Sequence, residues 1–181
     1  MKKIPTLFLR DTPDMSQVTQ DVKPRCAGVV DGQGQAHRKL DGMCCMIDSD
    51  KCLWKRREVK EGKPEPEGFK LEEEDPNTGK KFGWVLVNFN DPQDQYFAEA
   101  WKVLGPKYPG TYELVGPKIQ GNAERQPVHQ LMKHSDTPVY VGIERTYEGI
   151  KEFLRGMEIE GLVFHHPDGR MAKIKKKDFV Y

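Results

Sequence analysis

The chain has 181 residues, 31% of them charged, yet its formal net charge is only +1. A balance so near neutral excludes a protein that is basic as a whole, so any contact with nucleic acid has to come from a local patch. No stretch is long and apolar enough to span a bilayer, which excludes a helical membrane span and predicts no membrane partner.

The N-terminal "MKKIPTLFLRD" carries two lysines but lacks a signal-peptide core and cleavage site, so it reads as a strand or arm. The four cysteines, Cys26, Cys44, Cys45 and Cys52, form no C-x-x-C pair. Neighbours on a strand point to opposite faces, so Cys44 and Cys45 are poorly placed to serve one site. Without an export signal the expectation is reduced thiols, a cytoplasmic location and no zinc.

Taken in chain order, apolar runs bounded by turn residues predict strands near Ala27–Val30, Met43–Ile47 and Cys52–Arg56. The polar segment "KEGKPEPEGFKLEEEDPNTGKK", residues 60–81, reads as a long surface loop. A strand near Trp84–Phe89 follows, then a helix over Gln93–Leu104 with Phe97, Ala100, Trp101 and Leu104 on one face. Thr111–Val115 is a further strand. Tyr147–Met157 is a second helix, with Ile150, Phe153, Leu154 and Met157 aligned. Strands near Gly161–His165 and Met171–Lys175 close the chain. Glycine and proline are spread throughout, with no repeat and no βαβ alternation, which predicts one α+β domain of antiparallel sheets.

Several charged residues fall where strands are expected. Lys39 precedes an Asp-Gly turn in "RKLDGMCCMID", Glu113 interrupts the apolar strand "TYELVGP", and Glu160 precedes the strand "GLVFH". A Pro-Asp-Gly turn then leads to a strand carrying Lys173 and Lys175, with Lys176 and Lys177 after it. If Asp168-Gly169 is a two-residue hairpin loop, Phe164 pairs with Lys173, Leu162 with Lys175 and Glu160 with Lys177; a longer loop would change this register. That register puts Glu160, Lys173 and Lys175 on one face, with Phe164 on the same side. Taken singly, each feature has a plain reading: a solvated turn lysine, an edge strand with one residue in water, a charged hairpin face. Taken together, a lysine, two acids and a lysine pair are the groups needed to attack and stabilise a nucleotide phosphate.

In this order and spacing the residues resemble the covalent nucleotidyltransferases: ATP-dependent RNA and DNA ligases and capping enzymes. Lys39-Leu40-Asp41-Gly42 is similar to the KxDG motif, and "CLWKRREVKEGK" to the segment after it, with Arg56 at the functional arginine. "YELVGP" with Glu113, "EGLVF" with Glu160 and "AKIKKKDF" with Lys173 and Lys175 are similar to the later motifs. The wider pattern, including "DPNTGKKFGWVLV" and "GTYELVGPKIQGN", resembles small RNA ligases without a C-terminal OB domain. Two positions depart from the family habit of threonine on either side of the motif: Arg38 before Lys39, and Met43 after Gly42.

The resemblance implies an ATP-dependent RNA ligase with one ligase-like nucleotidyltransferase domain over residues 1–181. It implies ATP and Mg²⁺ or Mn²⁺ as cofactors, and RNA with 5′-phosphate and 3′-hydroxyl ends as partner, in RNA repair, by a monomer. Lys39 would form lysyl-AMP, pass AMP to the RNA 5′-phosphate and allow a 3′-hydroxyl to seal the strand. Lys173 and Lys175 would stabilise phosphate charge and help lower the proton affinity of Lys39. Glu113 would bind the ribose, Arg56 the ribose or the acceptor phosphate, and Glu160 a metal or its water, while Asp41 would orient Lys39 or a metal-bound water. Lys173–Lys177 and "KRR" at 55–57 would track phosphates. Two other readings stand beside it: a capping or DNA-ligating nucleotidyltransferase, and an inactive nucleic-acid-binding relative.

Overall fold

The computed structural model describes residues 2–181. Its first half runs β1 (Phe8–Arg10), β2 (Val18–Val22), α1 (Ala27–Val30), β3 (Gln35–Lys39), β4 (Met43–Ile47), β5 (Leu53–Val59), β6 (Lys70–Glu74) and β7 (Lys81–Leu86). The second half runs α2 (Gln95–Val103), β8 (Gly110–Val115), β9 (Gln130–Lys133), β10 (Val139–Tyr140), α3 (Tyr147–Arg155), β11 (Gly161–His165) and β12 (Met171–Lys175). The fold is mixed α+β with mostly antiparallel sheets, as the pattern of short strands predicts. No helix among the described residues is long and apolar enough to cross a membrane.

The chain divides into two compact units, each with its own sheet and core. One comprises Ile4–Leu40 and Thr137–Tyr181. Its four-stranded sheet has the order β10-β3-β11-β12, and β1 and β2 form a separate pair. One face of the larger sheet contributes Ala36, Leu162, Phe164, Ala172 and Ile174 to a core shared with Phe8, Ile150, Leu154 and Phe179. Helix α3 forms because Ile150 and Leu154 repeat at helical spacing and Thr146 caps it, its hydroxyl accepting the Gly149 N–H at 3.0 Å. The open edge of β12 is met by the N-terminal arm in parallel: Lys173 N–H donates to Pro5 O and Leu7 N–H to Lys173 O, both at 2.8 Å.

The other unit comprises Asp41–Asp136 with the extreme N-terminus. Its six-stranded sheet has the order β6-β7-β5-β4-β8-β9. Cys45, Ile47, Leu53, Tyr112, Leu114 and Leu131 form its core with Phe97 and Ala100 of α2. Pro92 opens a short 3-10 turn before α2, where its missing N–H costs nothing, and Asp91 accepts the Gln93 N–H at 2.8 Å.

Strands β4, β11 and β12 have the bounds predicted from sequence, and both predicted helices are present within two residues at each end. Four expectations are corrected. The strand predicted near Trp84–Phe89 spans Lys81–Leu86 instead. Ala27–Val30 is a helical turn rather than a strand: Pro24 starts a 3-10 turn that runs into it, and Gly32 and Gly34 reverse the chain at φ 88° and 74°. The segment 60–81 contains a strand, since Lys70–Glu74 pairs with β7 despite its acidic composition. The β11–β12 hairpin turns through Pro167-Asp168-Gly169, with Gly169 at φ 90° donating its N–H to His166 O. Proline favours the first central position of a type I turn, and a left-handed glycine then adds a bulge. The register moves by one, pairing Phe164 with Ala172 and Val163 with Lys173.

Candidate active site

That one-residue change of register decides which side chains meet. Across three strands Lys39, Gly161 and Lys175 lie in one row, and His37, Val163 and Lys173 in the next. Directly paired residues share a face, as do residues two apart. Lys39, Lys173 and Lys175 therefore stand together on the face opposite the core. Phe164, expected beside them, is instead buried in the core, and Val163 takes its place on the lysine face. Between the two row-mates Gly161 is indispensable: a Cβ there would lie 2.1 Å from Ile174 O and 2.7 Å from Lys175 Cα.

Glu160, one residue before β11, closes the group. Its Oε2 lies 2.5 Å from Lys39 Nζ and its Oε1 2.5 Å from Lys175 Nζ. Its backbone oxygen accepts the Lys176 N–H at 2.8 Å, which replaces the expected pairing with Lys177. Burial pushes the Glu160 carboxyl up, but the Lys39 charge and the hydrogen bonds from Lys175 and Lys39 outweigh burial and hold it below its ordinary value. For Lys173 burial and the charges of Lys39 and Lys175 act together, and push its amine down to about 8 against the pull of Glu160 and Asp178. Three lysines around one carboxylate leave an excess of positive charge, which suits a polyphosphate.

Asp178 fixes the end of this strand from behind. It is 2% exposed, accepts the Lys175 N–H at 2.9 Å and pairs with Arg10 at 2.8 Å. His37, also on the lysine face, is buried, with its ring 4.5 Å from that of His165 and its Nδ1 3.3 Å from Thr137 Oγ1. Burial pushes the His37 pKa down. Neither residue is singled out by the sequence, because each acts through contacts with distant segments.

The remaining candidates lie in the other unit. Glu113 sits on β8 between β4 and β9, so it is not on an edge strand, and it is buried. Its Oε2 is 2.8 Å from His134 Nε2, while His134 Nδ1 is 2.9 Å from Thr111 Oγ1. His134 carries no signal in the sequence, because the β8–β9 pairing is what brings it to Glu113. Asp41 begins this unit, and its N–H donates to Glu124 Oε1 at 3.0 Å. Arg56 pairs with Trp84 across the sheet, and its guanidinium lies 5.4 Å from the Phe82 ring centre and 5.9 Å from that of Trp84.

Two members of the proposed phosphate-tracking runs are committed to other contacts. Lys55 pairs with the buried Asp94 at 2.5 Å, and Lys176 Nζ donates to Arg155 O and Met157 O at the end of α3. None of the four cysteines forms a disulfide.

No cluster of three or more His, Cys, Asp or Glu suited to a metal occurs among the described residues. Around Glu160 the donor set is a single carboxylate with an ammonium on each oxygen. Such a set fits Mg²⁺ only where substrate phosphates and water supply the other ligands. No family model matches the chain, and no curated protein matches it.

Proposed function

We propose that the protein is an ATP-dependent RNA ligase that works through a lysyl-AMP intermediate. The observation that carries the reading is the Glu160 carboxylate held between Lys39 and Lys175 at 2.5 Å each, with Lys173 on the same sheet face. Lys39 stands 121 residues before Glu160, and its convergence with the Glu160–Lys175 hairpin supports the order of motifs that suggested the class.

In the proposed reaction Lys39 Nζ attacks the α-phosphorus of ATP. A phosphoramidate N–P bond forms and the P–O bond to pyrophosphate breaks. Before attack Lys39 has to lose a proton and leave Glu160, because an ammonium has no lone pair to give. Phosphate oxygens entering the site compete with Glu160 for Lys175, which loosens the ion pair as the substrate binds. Lys173 and Lys175 then stabilise the charge that develops on the phosphate. Mg²⁺ bound with the nucleotide would be met by Glu160 and would neutralise further phosphate charge. AMP passes from Lys39 to the 5′-phosphate of RNA, and a 3′-hydroxyl displaces AMP to form the phosphodiester. Glu113 binds the ribose hydroxyls, Arg56 the acceptor phosphate, and Asp41 orients the nucleophile end of the motif.

The test is transfer of label from α-labelled ATP to the protein, followed by sealing of 5′-phosphorylated RNA. Wild type acquires label and Lys39→Ala does not. Label persisting on Lys39→Ala refutes the nucleophile. Stronger labelling by GTP favours a capping-type enzyme, and sealing of DNA in preference to every RNA favours a DNA ligase.

A further inference from the structure

Lys175 stands in the last row of the β11–β12 pairing, opposite Gly161. Beyond it the chain turns into a short 3-10 segment, Lys176–Asp178. The end of a strand is its least restrained part, and a lysine amine lies several bonds out from its backbone. A small rotation there becomes a large displacement of the amine that meets Glu160. Two residues earlier the edge of β12 is held by backbone: Lys173 N–H donates to Pro5 O at 2.8 Å. At Lys175 a side chain takes over. Asp178 accepts the Lys175 N–H on Oδ2 at 2.9 Å and the Arg10 guanidinium on Oδ1 at 2.8 Å, one partner for each oxygen. The same Arg10 nitrogen donates to Ser16 O at 3.1 Å, which ties the guanidinium to the loop between β1 and β2. Phe8, two residues before Arg10, and Phe179, directly after Asp178, pack edge to face with ring centres 6.3 Å apart, so the two segments are joined by rings as well.

As a source of stability such a pair is a poor one. Removing two charges from water offsets most of their attraction, and apolar side chains of similar volume often serve as well. What the Asp178 carboxylate supplies, and an apolar residue could not, is an acceptor for one backbone N–H, and that N–H belongs to Lys175. We infer that Asp178 and Arg10 are positioning residues for the proposed reaction: Asp178 fixes the backbone of Lys175 and with it the placement of the amine, and Arg10 holds the Asp178 carboxylate where it can do so. The part given to Lys175 rests on the ligase reading. Neither Asp178 nor Arg10 touches the nucleotide; both act through Lys175.

The test measures single-turnover self-adenylation of the full chain across ATP concentrations, below the melting temperature of every variant, with amide hydrogen exchange read in parallel without nucleotide. Asp178→Ala and Arg10→Met each slow the step at saturating ATP by about 10–100-fold, the loss that follows from displacing a group at the reacting centre by up to about 1 Å, while the half-saturating ATP concentration stays within about threefold. The double variant Arg10→Met with Asp178→Asn recovers to within about fivefold of wild type, because the asparagine amide oxygen accepts the Lys175 N–H and no charge is left buried alone. Exchange quickens at the Lys175 amide in Asp178→Ala, returns to the wild-type rate in the double variant, and is unchanged at Leu162 and Ile174 inside the strands. Wild-type turnover in Asp178→Ala overturns the inference, as does a double variant as slow as Asp178→Ala. Quickened exchange along all of β11 and β12 also overturns it, since that is the mark of a pair that only stabilises the fold. If the wild type takes no label from ATP, the ligase reading falls, and the exchange data still decide whether Asp178 fixes Lys175: an unchanged Lys175 amide in Asp178→Ala refutes it.

Discussion

Replacing Lys173 by methionine should stabilise the protein while damaging its proposed chemistry. The substitution keeps a long flexible side chain and removes a charge that the folded state disfavours. The Lys173 pKa falls from 10.5 to about 8, chiefly through burial and then through Lys39 and Lys175. At about 1.4 kcal/mol per tenfold change in proton affinity, that fall corresponds to a cost of about 3 kcal/mol. The sign follows from proton counts. Below pH 8 both states hold the proton, so the full cost is present. Between pH 8 and about 10.5 the unfolded chain binds more protons than the folded one, so wild-type stability rises with pH relative to the variant. Urea unfolding at pH 7 should therefore show Lys173→Met more stable by about 1–3 kcal/mol, the lower end allowing for lost attraction to Glu160 and Asp178. At pH 10 the gap should shrink to under about 1 kcal/mol. Comparing two proteins at the same pH cancels the titration of groups they share. A variant no more stable than wild type at pH 7, or a gap that does not change between pH 7 and pH 10, refutes the reasoning.

Glu160→Gln should carry the opposite sign, destabilising by about 3 kcal/mol at pH 7 because Lys39 and Lys175 lose their shared partner. The Glu160 pKa lies below its ordinary 4.5, so this contribution is full above that pH and is lost as pH falls through the depressed value; unfolding free energies at pH 7 and pH 3 should show the gap narrow. Gly161→Ala should disrupt the β11–β12 pairing and abolish self-adenylation, since its methyl group would meet backbone rather than a movable side chain, and amide exchange across β11 and β12 reports the pairing. His134→Ala should cost about 1–3 kcal/mol by leaving the buried Glu113 without that contact, whereas His134→Gln, which keeps a donor, should recover part of it in the same melting assay.

Much of the fold was legible where local pattern and tertiary role agree. Met43–Ile47 is a compact apolar run in a central strand, and Ile150 and Leu154 mark the face of α3 that becomes core. β3 escaped notice because "QAHRK" carries no apolar alternation: Ala36 faces the core, while His37 and Lys39 line the candidate site. The polar and charged residues of β3 depart there from the usual strand composition. Asp168-Gly169 was read as the whole hairpin loop because its composition suits a two-residue turn. Pro167 sets the turn one position earlier, which moved Phe164 from the candidate site into the core. The grouping of Glu160 with Lys173 and Lys175 survived, because both lysines change strand partner together and Glu160 lies before the regular strand. What the sequence could not display are partners such as Asp178 and His134, which depend on where other strands end.

The arm at Pro5–Leu7 has a consequence for the protein as a solute. A strand at the margin of a sheet exposes a ladder of unpaired amide and carbonyl groups, which is a template for another chain to add on. Here the arm's own backbone occupies that ladder at Lys173. Peeling the arm away would uncover a sticky margin directly beside the lysine cluster and favour self-association there. The arm is thus a guard against aggregation, and a fusion partner that strained residues 5–7 would be felt first as precipitation rather than as a fault in chemistry.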